Sequence, residues 1–314
     1  MSGLPEDFLN RLNDLFDDTT RAVVLESFTS PKDVTFRVNT LLGDQQEVIR
    51  ELAESMQVDQ IHWMGNAFRV DTDNRKLLLQ SNAFASGQIY IQNASSMVPV
   101  NELNPQPGEN VLDLTAAPGS KTTQIAALMN NDGYVAAVES VRNRYFKLRA
   151  NLERHGVTCV RTIHKDGMKV WRYRPEYFDR VLLDSPCSSE GRFRVGEPET
   201  TQYWSERKIA EMHRKQFRLL QSAIRCVKVG GTVVYSTCSF APEENELIVT
   251  RIKKRSGSFI EEIPLSIQCP NYTNPMTEWR DKTLTCKEGR RIVPDRLMDG
   301  FFVAKFIKTA PNPQ

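Results

Sequence analysis

A regular alternation of short apolar strands and helical segments after residue 110 constrains the fold of this chain more than any other feature. Strands are predicted at 110–115 (NVLDLT), 134–139 (YVAAVE), 157–164 (VTCVRTIH) and 177–185 (YFDRVLLDS), and a long helical pattern precedes a fifth strand in GTVVYSTC. Strands that alternate with helices form βαβ units with right-handed crossovers and parallel strands. We therefore expect an α/β domain around a parallel sheet, to which the tail 300–308 (GFFVAKFIK) adds a late strand.

The first hundred residues follow a different pattern. PEDFLNRLNDLFDDTTRAVVLESF has apolar residues at helical spacing and predicts one helix, and DQQEVIRELAESMQ predicts a second. FRVNTL predicts a short strand, and IHWMGNAFRV predicts either a pair of strands or one strand kinked around Gly65. The segment 101–110 (NELNPQPGEN) contains two prolines and a glycine and is the best candidate for a boundary. We predict a small N-terminal α/β region over residues 1–103 and a larger domain over residues 104–314.

Composition argues against several classes of protein. No stretch approaches 18 uncharged apolar residues, and the acidic, amphipathic start lacks the features of a signal peptide, so we expect no membrane span and a cytoplasmic location. None of the six cysteines stands in a CxxC pair and the four histidines are not at ligand spacing, which argues against a structural metal site. We interpret the cysteines as thiols in a reducing compartment.

Charge is divided unevenly along the chain. Residues 1–100 hold 8 Lys/Arg and 14 Asp/Glu, a net charge of −6, whereas residues 101–314 hold 33 and 25, a net charge of +8. Basic clusters such as 142–149 (RNRYFKLR) and 171–180 (WRYRPEYFDR) are interleaved with aromatic residues, as on surfaces that bind single-stranded nucleic acid. Such clusters are more often a solvated face, so charge alone does not identify a partner.

Small residues follow the first strand of the alternation, in LDLTAAPGSKTTQ. Ala116, Ala117 and Gly119 allow the backbone to approach a ligand closely, and the start of the next helix offers free N–H groups. The loop matches neither GxxxxGK[ST] nor GxGxxG, so the sequence favours neither a nucleoside triphosphate nor a dinucleotide as the ligand.

Acidic residues stand at the ends of the following strands. Glu139 ends the second strand, where a carboxylate is placed to bind a ribose diol; Asp166 follows the third strand and Asp184 ends the fourth. Each acid alone is better explained as a cap of a helix or turn, but acids at successive ends of one sheet favour a ligand. An adenosine-containing cofactor that is not a triphosphate suggests S-adenosylmethionine.

Two cysteines stand just past strands four and five. Cys187 lies in LLDSPCSSEG and Cys238 lies in YSTCS. Each cysteine alone is better explained as a small buried side chain that fills a gap. A pair of cysteines at strand ends, each flanked by hydroxyl residues, is harder to explain by packing, and both thiols face one pocket if the two strands are neighbours.

Several segments together resemble the RNA cytosine-5 methyltransferase family (the Sun family), and most closely its bacterial ribosomal RNA members. They are DLTAAPGSKTTQ, DSPCSSEG, YSTCSFAPEENE and RIVPDRLMDGFFVAKF, with FRVNTL and IQNASSMVPV resembling the N-terminal part of the family. The likeness covers nearly the whole chain in the same order, and the combination of Asp-Ser-Pro-Cys with Thr-Cys is highly specific. Thr115, Ser120, Ser185 and Ser189 depart from the common pattern, but all are small, so we expect altered packing rather than lost chemistry.

The resemblance implies a fold and a set of catalytic roles. It implies a Rossmann-like S-adenosylmethionine-dependent methyltransferase domain with a small N-terminal α/β domain that is RNA-recognition-like. Cys238 would be the nucleophile that adds to carbon 6 of cytosine, Cys187 would help to release the methylated base, and Asp184 would stabilise the protonated ring. A free thiol is only a few per cent thiolate at neutral pH, so the site should lower the pKa of the nucleophile.

The resemblance also implies where the cofactor binds. Lys121 and backbone amides would surround the methionine moiety, Glu139 would hold the ribose and Asp166 would reach the adenine; Arg144, near the ribose, is equally well explained as a helix-surface charge. The implied cofactor residues are Thr115, Ala116, Ala117, Pro118, Gly119, Ser120, Lys121, Glu139, Arg144, Asp166 and Asp184, and no metal is implied.

We predict methylation of carbon 5 of a cytidine in structured RNA, with ribosomal RNA as the first choice and tRNA as the alternative. DNA cytosine-5 methyltransferases use the Pro-Cys cysteine as nucleophile, so the Thr-Cys motif favours RNA. A DNA methyltransferase that uses Cys187 and a non-catalytic RNA-binding assembly factor are less favoured alternatives, because a scaffold needs neither cysteine. The sequence does not set the oligomeric state, for which a monomer is our expectation.

Overall fold

A nine-stranded mixed sheet forms the centre of the molecule in a computed structural model that describes residues 3–312. Within these residues the α-helices are α1 (Glu6–Leu15), α2 (Asp18–Ser27), α3 (Gln45–Ala53), α4 (Arg75–Gln80), α5 (Asn82–Ala85), α6 (Ala94–Leu103), α7 (Ser120–Leu128), α8 (Arg142–Arg154), α9 (Glu206–Cys226) and α10 (Glu246–Ser256). The strands are β1 (Val34–Val38), β2 (Asp59–Gln60), β3 (Ala67–Val70), β4 (Ile89–Ile91), β5 (Asn110–Asp113), β6 (Tyr134–Glu139), β7 (Val160–His164), β8 (Phe178–Asp184), β9 (Val227–Thr237), β10 (Ile260–Ile263), β11 (Tyr272–Thr273), β12 (Glu278–Trp279), β13 (Lys282–Thr283), β14 (Arg290–Ile292) and β15 (Phe301–Lys308).

The predicted strands of the alternation form the parallel part of this sheet. The order is β11-β14-β15-β9-β8-β5-β6-β7, and the pairs β5–β6, β5–β8, β6–β7 and β8–β9 are all parallel. Apolar side chains of these strands pack with α9 and α10 in one buried layer and with α6 and α7 in another. Because β8 and β9 are neighbours, with Asp184 opposite Ser236, the loops that follow them emerge side by side.

Antiparallel strands extend the sheet beyond β9. The tail strand is confirmed as β15, which pairs antiparallel with β9 and places Phe302 opposite Thr237. β14 and β10 pair antiparallel with β15, and β11 pairs with β14; these short strands were not predicted from the sequence. The sheet is therefore mixed, and its antiparallel end brings the loop before β15 next to the carboxyl end of β9.

The N-terminal helical pattern forms two helices rather than the one that its apolar spacing predicts. One helix was predicted, but α1 ends at Leu15 and α2 begins at Asp18. Phe16 is extended, and its ring lies 5.5 Å from the ring of Phe240. The Asp17 carboxylate accepts a hydrogen bond from Thr20 N at 2.8 Å, and Asp is among the residues that best start a helix in this way. The local cap starts a new helix despite the continuous apolar spacing.

A second, four-stranded antiparallel sheet in the order β2-β3-β1-β4 forms the N-terminal α/β layer. Buried Arg37 on β1 reaches out of this layer: its guanidinium donates to Ser120 O at 3.1 Å, at the start of α7. Helix α6 packs on β8, β9 and β15 of the large sheet. The division at residue 103 stays a prediction.

Among residues 3–312, no helix combines the length and the apolar character that a membrane crossing requires.

Candidate active site at the carboxyl edge of the sheet

A cavity of about 540 Å³ lies at the carboxyl ends of β5, β6, β8 and β9. Most of the residues predicted from the sequence line it: Thr115, Ala117, Pro118, Ser120, Lys121, Glu139, Arg144, Asp166, Asp184, Cys187 and Cys238. Ala116 and Gly119 are not in the lining. Ala116 is buried and donates from its amide to Val138 O at 2.8 Å, which fixes the loop to β6.

Gly119 shapes the loop without facing the cavity. Its φ of 112° lies in the left-handed region that favours glycine, and it is the residue before α7. A Cβ at this position would lie 3.1 Å from Leu148 Cδ1 of α8. The two small residues therefore have different roles. Gly119 allows the loop to pack closely on α8, whereas Ala117 lines the cavity.

Side chains of α8 hold the loop from outside. Arg144 Nη2 donates to Ala117 O at 2.6 Å, and Asn151 Nδ2 donates to Pro118 O at 2.8 Å. The loop carbonyls are thereby turned towards α8.

Glu139 is buried at the end of β6, with one oxygen occupied. Its Oε1 accepts from Val141 N at 2.7 Å, and its Oε2 lies 3.6 Å from Arg144 Nη1. The carboxylate keeps acceptor capacity on the cavity side, which suits a diol. Asp166 lines the same cavity, but its Oδ1 also accepts from Met168 N at 3.0 Å. Asp166 therefore caps the turn that follows it and also lines the cavity.

Asp184 is held by two donors at the centre of the cavity. Lys121 Nζ donates to Oδ2 at 2.7 Å, and Ser236 Oγ donates to Oδ1 at 2.8 Å. Lys121 also donates to Ser96 Oγ at 2.6 Å, which connects the carboxylate to α6. Thr115 Oγ1 donates to the backbone carbonyl of Asp184 at 2.8 Å, so the ends of β5 and β8 are joined.

The two cysteine thiols meet in this cavity. Cys187 Sγ and Cys238 Sγ are 3.2 Å apart, and Ser189 Oγ lies 3.6 Å from Cys238 Sγ. The hydrogen bond between the two sulfurs lowers the pKa of Cys238 and raises the pKa of Cys187 well above its ordinary value. The Arg192 guanidinium, on the cavity wall, lowers the pKa of Cys238 further. The pair therefore favours a thiolate on Cys238 and a protonated thiol on Cys187.

Buried carboxyl groups support the loops that carry the thiols. Glu244 accepts from Ser188 N at 3.0 Å and from Gln216 Nε2 at 3.1 Å, and burial raises its pKa to about 8. Glu190 accepts from Trp204 Nε1 at 2.8 Å and from Phe240 N at 3.0 Å, and burial raises its pKa as well. These groups lie behind the thiols, outside the cavity.

Several residues of the site were not predicted as site residues from the sequence. They are Ser96, Lys215, Asp299 and Phe301 in the cavity wall, Ser236 on Asp184, and Glu190 and Glu244 behind the thiols. Arg192, on the cavity wall, was not predicted as a site residue either. Six of these residues lie in segments that resemble the family, and that resemblance is the one sequence signal that points to them: Ser96, Glu190, Ser236, Glu244, Asp299 and Phe301.

The mixed sheet with a strand-end cavity defines a Rossmann-like methyltransferase fold with a separate N-terminal domain. The family model described as "16S rRNA methyltransferase RsmB/F" matches residues 100–307, and that described as "N-terminal domain of 16S rRNA methyltransferase RsmF" matches residues 4–94. The chain belongs to the RsmB/F family of methyltransferases.

Curated relatives are named as methyltransferases of small-subunit ribosomal RNA. Ribosomal RNA small subunit methyltransferase F of Vibrio cholerae is 36% identical over 317 residues, covering 99% of this chain and 65% of the relative. The protein of the same name from Shigella dysenteriae is 37% identical over 322 residues, covering 98% and 64%. The chain thus spans slightly less than two thirds of the length of these relatives.

Solved structures with the same fold cover almost the whole chain. A methyltransferase homolog from Pyrococcus horikoshii has a TM-score of 0.82 and 34% identity, covering 98% of this chain and 96% of that one. NSun6 from the same organism, solved with SFG, has a TM-score of 0.83 and 21% identity, covering 98% and 99%. At that lower identity, NSun6 supports the fold alone.

Proposed function

We propose that this chain methylates carbon 5 of a cytidine in structured RNA, with S-adenosylmethionine as the methyl donor and ribosomal RNA as the substrate. The observation that carries the proposal is the meeting of two thiols, 3.2 Å apart, in the same cavity as the Asp184–Lys121 pair. The names of the Vibrio cholerae and Shigella dysenteriae relatives favour ribosomal RNA over tRNA.

The cofactor side of the cavity fits S-adenosylmethionine. The small-residue loop opens onto the start of α7, whose first amides have no partner within the helix and suit a carboxylate. Glu139 offers a carboxylate oxygen to a ribose diol, and Asp166 lies further along the wall. When bound, the cofactor supplies an electrophilic methyl group; the residues of this chain orient it and exclude water around it.

The thiol side of the cavity supplies the nucleophile that activates cytosine for methylation. Carbon 5 of cytosine is a poor nucleophile, and addition of a thiolate to carbon 6 turns the ring into an enamine that is nucleophilic at carbon 5. Cys238 is the proposed nucleophile because its pKa is lowered while that of Cys187 is raised.

Asp184 and Lys121 hold the ring during this step. Asp184 is proposed to hold a proton at the ring nitrogen beside the exocyclic amine, which stabilises the activated base. Lys121 and Ser236 fix the orientation of its carboxylate. After methyl transfer the carbon 5 proton passes to solvent, and Cys238 is eliminated from carbon 6 as a thiolate. The protonated Cys187 thiol next to Cys238 is proposed to assist this release.

The base must be unpaired or flipped to reach such a cavity. A methyl-transfer assay with labelled S-adenosylmethionine tests the proposal, with undermodified ribosomal RNA and total tRNA offered side by side and the product nucleoside identified by mass. Five-methylcytidine in ribosomal RNA is the expected product. Another methylated nucleoside, or no transfer to free or protein-assembled ribosomal RNA, would contradict the proposal.

A further inference from the structure

The two cavity thiols are placed for a reaction with each other as well as with a base. Their sulfur atoms are 3.2 Å apart, and a disulfide needs about 2.05 Å, so they must approach by roughly 1.2 Å. Both belong to loops that leave neighbouring strands at the same edge of the sheet. Gly191 N donates to Cys238 O at 2.9 Å, which ties the Cys187 loop to the Cys238 loop.

The protonation states of the two thiols favour reaction with a peroxide. Oxidation by a peroxide begins at a thiolate, and a neighbouring thiol then closes the disulfide. The hydrogen bond from Cys187 and the charge of Arg192 lower the pKa of Cys238, whereas the same hydrogen bond raises the pKa of Cys187. Cys238 is thus the group that reacts first, and Cys187 is the resolving group.

Access separates this pair from the other cysteines. Both thiols are partly exposed and line a cavity of about 540 Å³, which admits a small oxidant. Cys226, Cys269 and Cys286 are buried, and burial raises the pKa of each. Cys159 is as exposed as the pair, but it does not line the cavity, and burial raises its pKa. Oxidation should therefore select the cavity pair.

We propose that Cys187 and Cys238 form a reversible oxidation site that takes a peroxide and closes to an intramolecular disulfide. While the disulfide persists, Cys238 cannot act as a nucleophile. Only its effect on methylation rests on the proposed function.

The reaction balances with hydrogen peroxide as the oxidant. The Cys238 thiolate attacks one peroxide oxygen, the O–O bond breaks, and the departing hydroxide takes a proton to leave as water, which gives a sulfenic acid. The Cys187 sulfur then attacks the Cys238 sulfur, its proton is taken up by the departing oxygen, and a second water leaves. Two thiols are oxidised and one peroxide is reduced to two waters. A dithiol such as dithiothreitol reverses the change by thiol–disulfide exchange.

Mass spectrometry of the whole chain tests the proposal without RNA or cofactor. After near-stoichiometric peroxide, the wild type should lose about 2 Da, two hydrogens, with a Cys187–Cys238 linked peptide, and dithiothreitol should restore the original mass. The Cys187→Ala variant should instead gain about 16 Da at Cys238, one oxygen, or about 32 Da for two. The Cys238→Ala variant should stay unmodified at the same dose. Cys159→Ala is the matched control and should behave as the wild type.

A wild-type mass that does not fall, a loss of about 2 Da that persists in Cys187→Ala, or a linked peptide between other cysteines would overturn the proposal. Serine at position 187 or 238 replaces alanine if an alanine variant fails to fold. If the disulfide forms but the reduced protein transfers no methyl group, the oxidation site stands and the proposed function fails. If the reduced protein methylates RNA, and peroxide neither closes the disulfide nor lowers that activity, the proposed function stands and the oxidation site fails.

Discussion

The two sides of the cavity are built in different ways. The cofactor side is shaped by backbone: the small-residue loop after β5 is held through its carbonyls by Arg144 and Asn151. The thiol side is shaped by buried acids: Glu190 and Glu244 fix the loops that carry Cys187 and Cys238. Support by buried carboxyl groups is more sensitive to substitution and to pH than support by the partly exposed Arg144 and Asn151, because loss of each buried group leaves several donors without partners.

The largest effect is expected on the stability of the thiol side. Glu190→Ala removes the acceptor of Trp204 Nε1, Ser239 Oγ and Phe240 N, so we expect a loss of about 3–5 kcal/mol in the free energy of unfolding. Urea denaturation measures it. Glu197→Ala, at an exposed acid nearby, is the control and should change stability by less than about 0.5 kcal/mol. Equal losses in the two variants would show that Glu190 does not support the thiol side.

The next effect is on the cofactor side, in binding rather than stability. Glu139→Gln keeps an acceptor for Val141 N but removes the charge offered to the ribose, so S-adenosylmethionine should bind about 10–100-fold more weakly, a loss of about 1.5–3 kcal/mol. Isothermal calorimetry gives the affinity. Glu153→Gln, on the exposed face of α8, is the matched control. Unchanged affinity in Glu139→Gln would remove this residue from the cofactor site.

A third prediction concerns pH and the thiol side. The folded-state pKa of Glu244 is about 8, above its ordinary value of 4.5, so the folded chain holds a proton that the unfolded chain loses. The contribution of Glu244 to stability is therefore largest below pH 4.5 and is lost as the pH rises to about 8. Between pH 6 and 8 the loss is about 2 kcal/mol.

Glu244→Gln should flatten this dependence, because the amide does not ionise. Denaturation curves of wild type and variant at pH 6, 7 and 8 compare the slopes. Identical slopes in the two proteins would show that Glu244 does not carry the proton.

The smallest effect is expected at Arg144. Its side chain is half exposed and lies 3.6 Å from Glu139, so the ion pair contributes at most about 1 kcal/mol. Arg144→Gln should weaken cofactor binding at most about fivefold by calorimetry. A loss as large as that of Glu139→Gln would mean that Arg144 contacts the cofactor itself.

The contrast between the sides also explains what the sequence could predict. Glu139 and Asp184 stand at the ends of strands, so the alternation of strands and helices was enough to place them in one cavity. Glu244 acts through Ser188 and Gln216, which are 56 and 28 residues away along the chain, and no local pattern reports such contacts.

One prediction was wrong for a local physical reason, and one loop residue has a role that its sequence pattern alone does not show. A capping aspartate divided the first helical pattern into α1 and α2, against the continuous apolar spacing. Gly119 stays a predicted cofactor residue, and its left-handed backbone also serves the start of α7 and the close approach to Leu148. A glycine in a loop indicates a special conformation without saying which neighbour requires it.

The most direct test of the central claim is to trap the covalent bond between the chain and RNA. A substrate RNA with 5-fluorocytidine stops the reaction after methyl transfer, because fluorine at carbon 5 cannot leave as a proton does. With S-adenosylmethionine, the wild type and Cys187→Ala should form an adduct that survives denaturing electrophoresis, with the link mapped to Cys238, and Cys238→Ala should form none. An adduct that persists in Cys238→Ala and disappears in Cys187→Ala would contradict the assignment of the nucleophile.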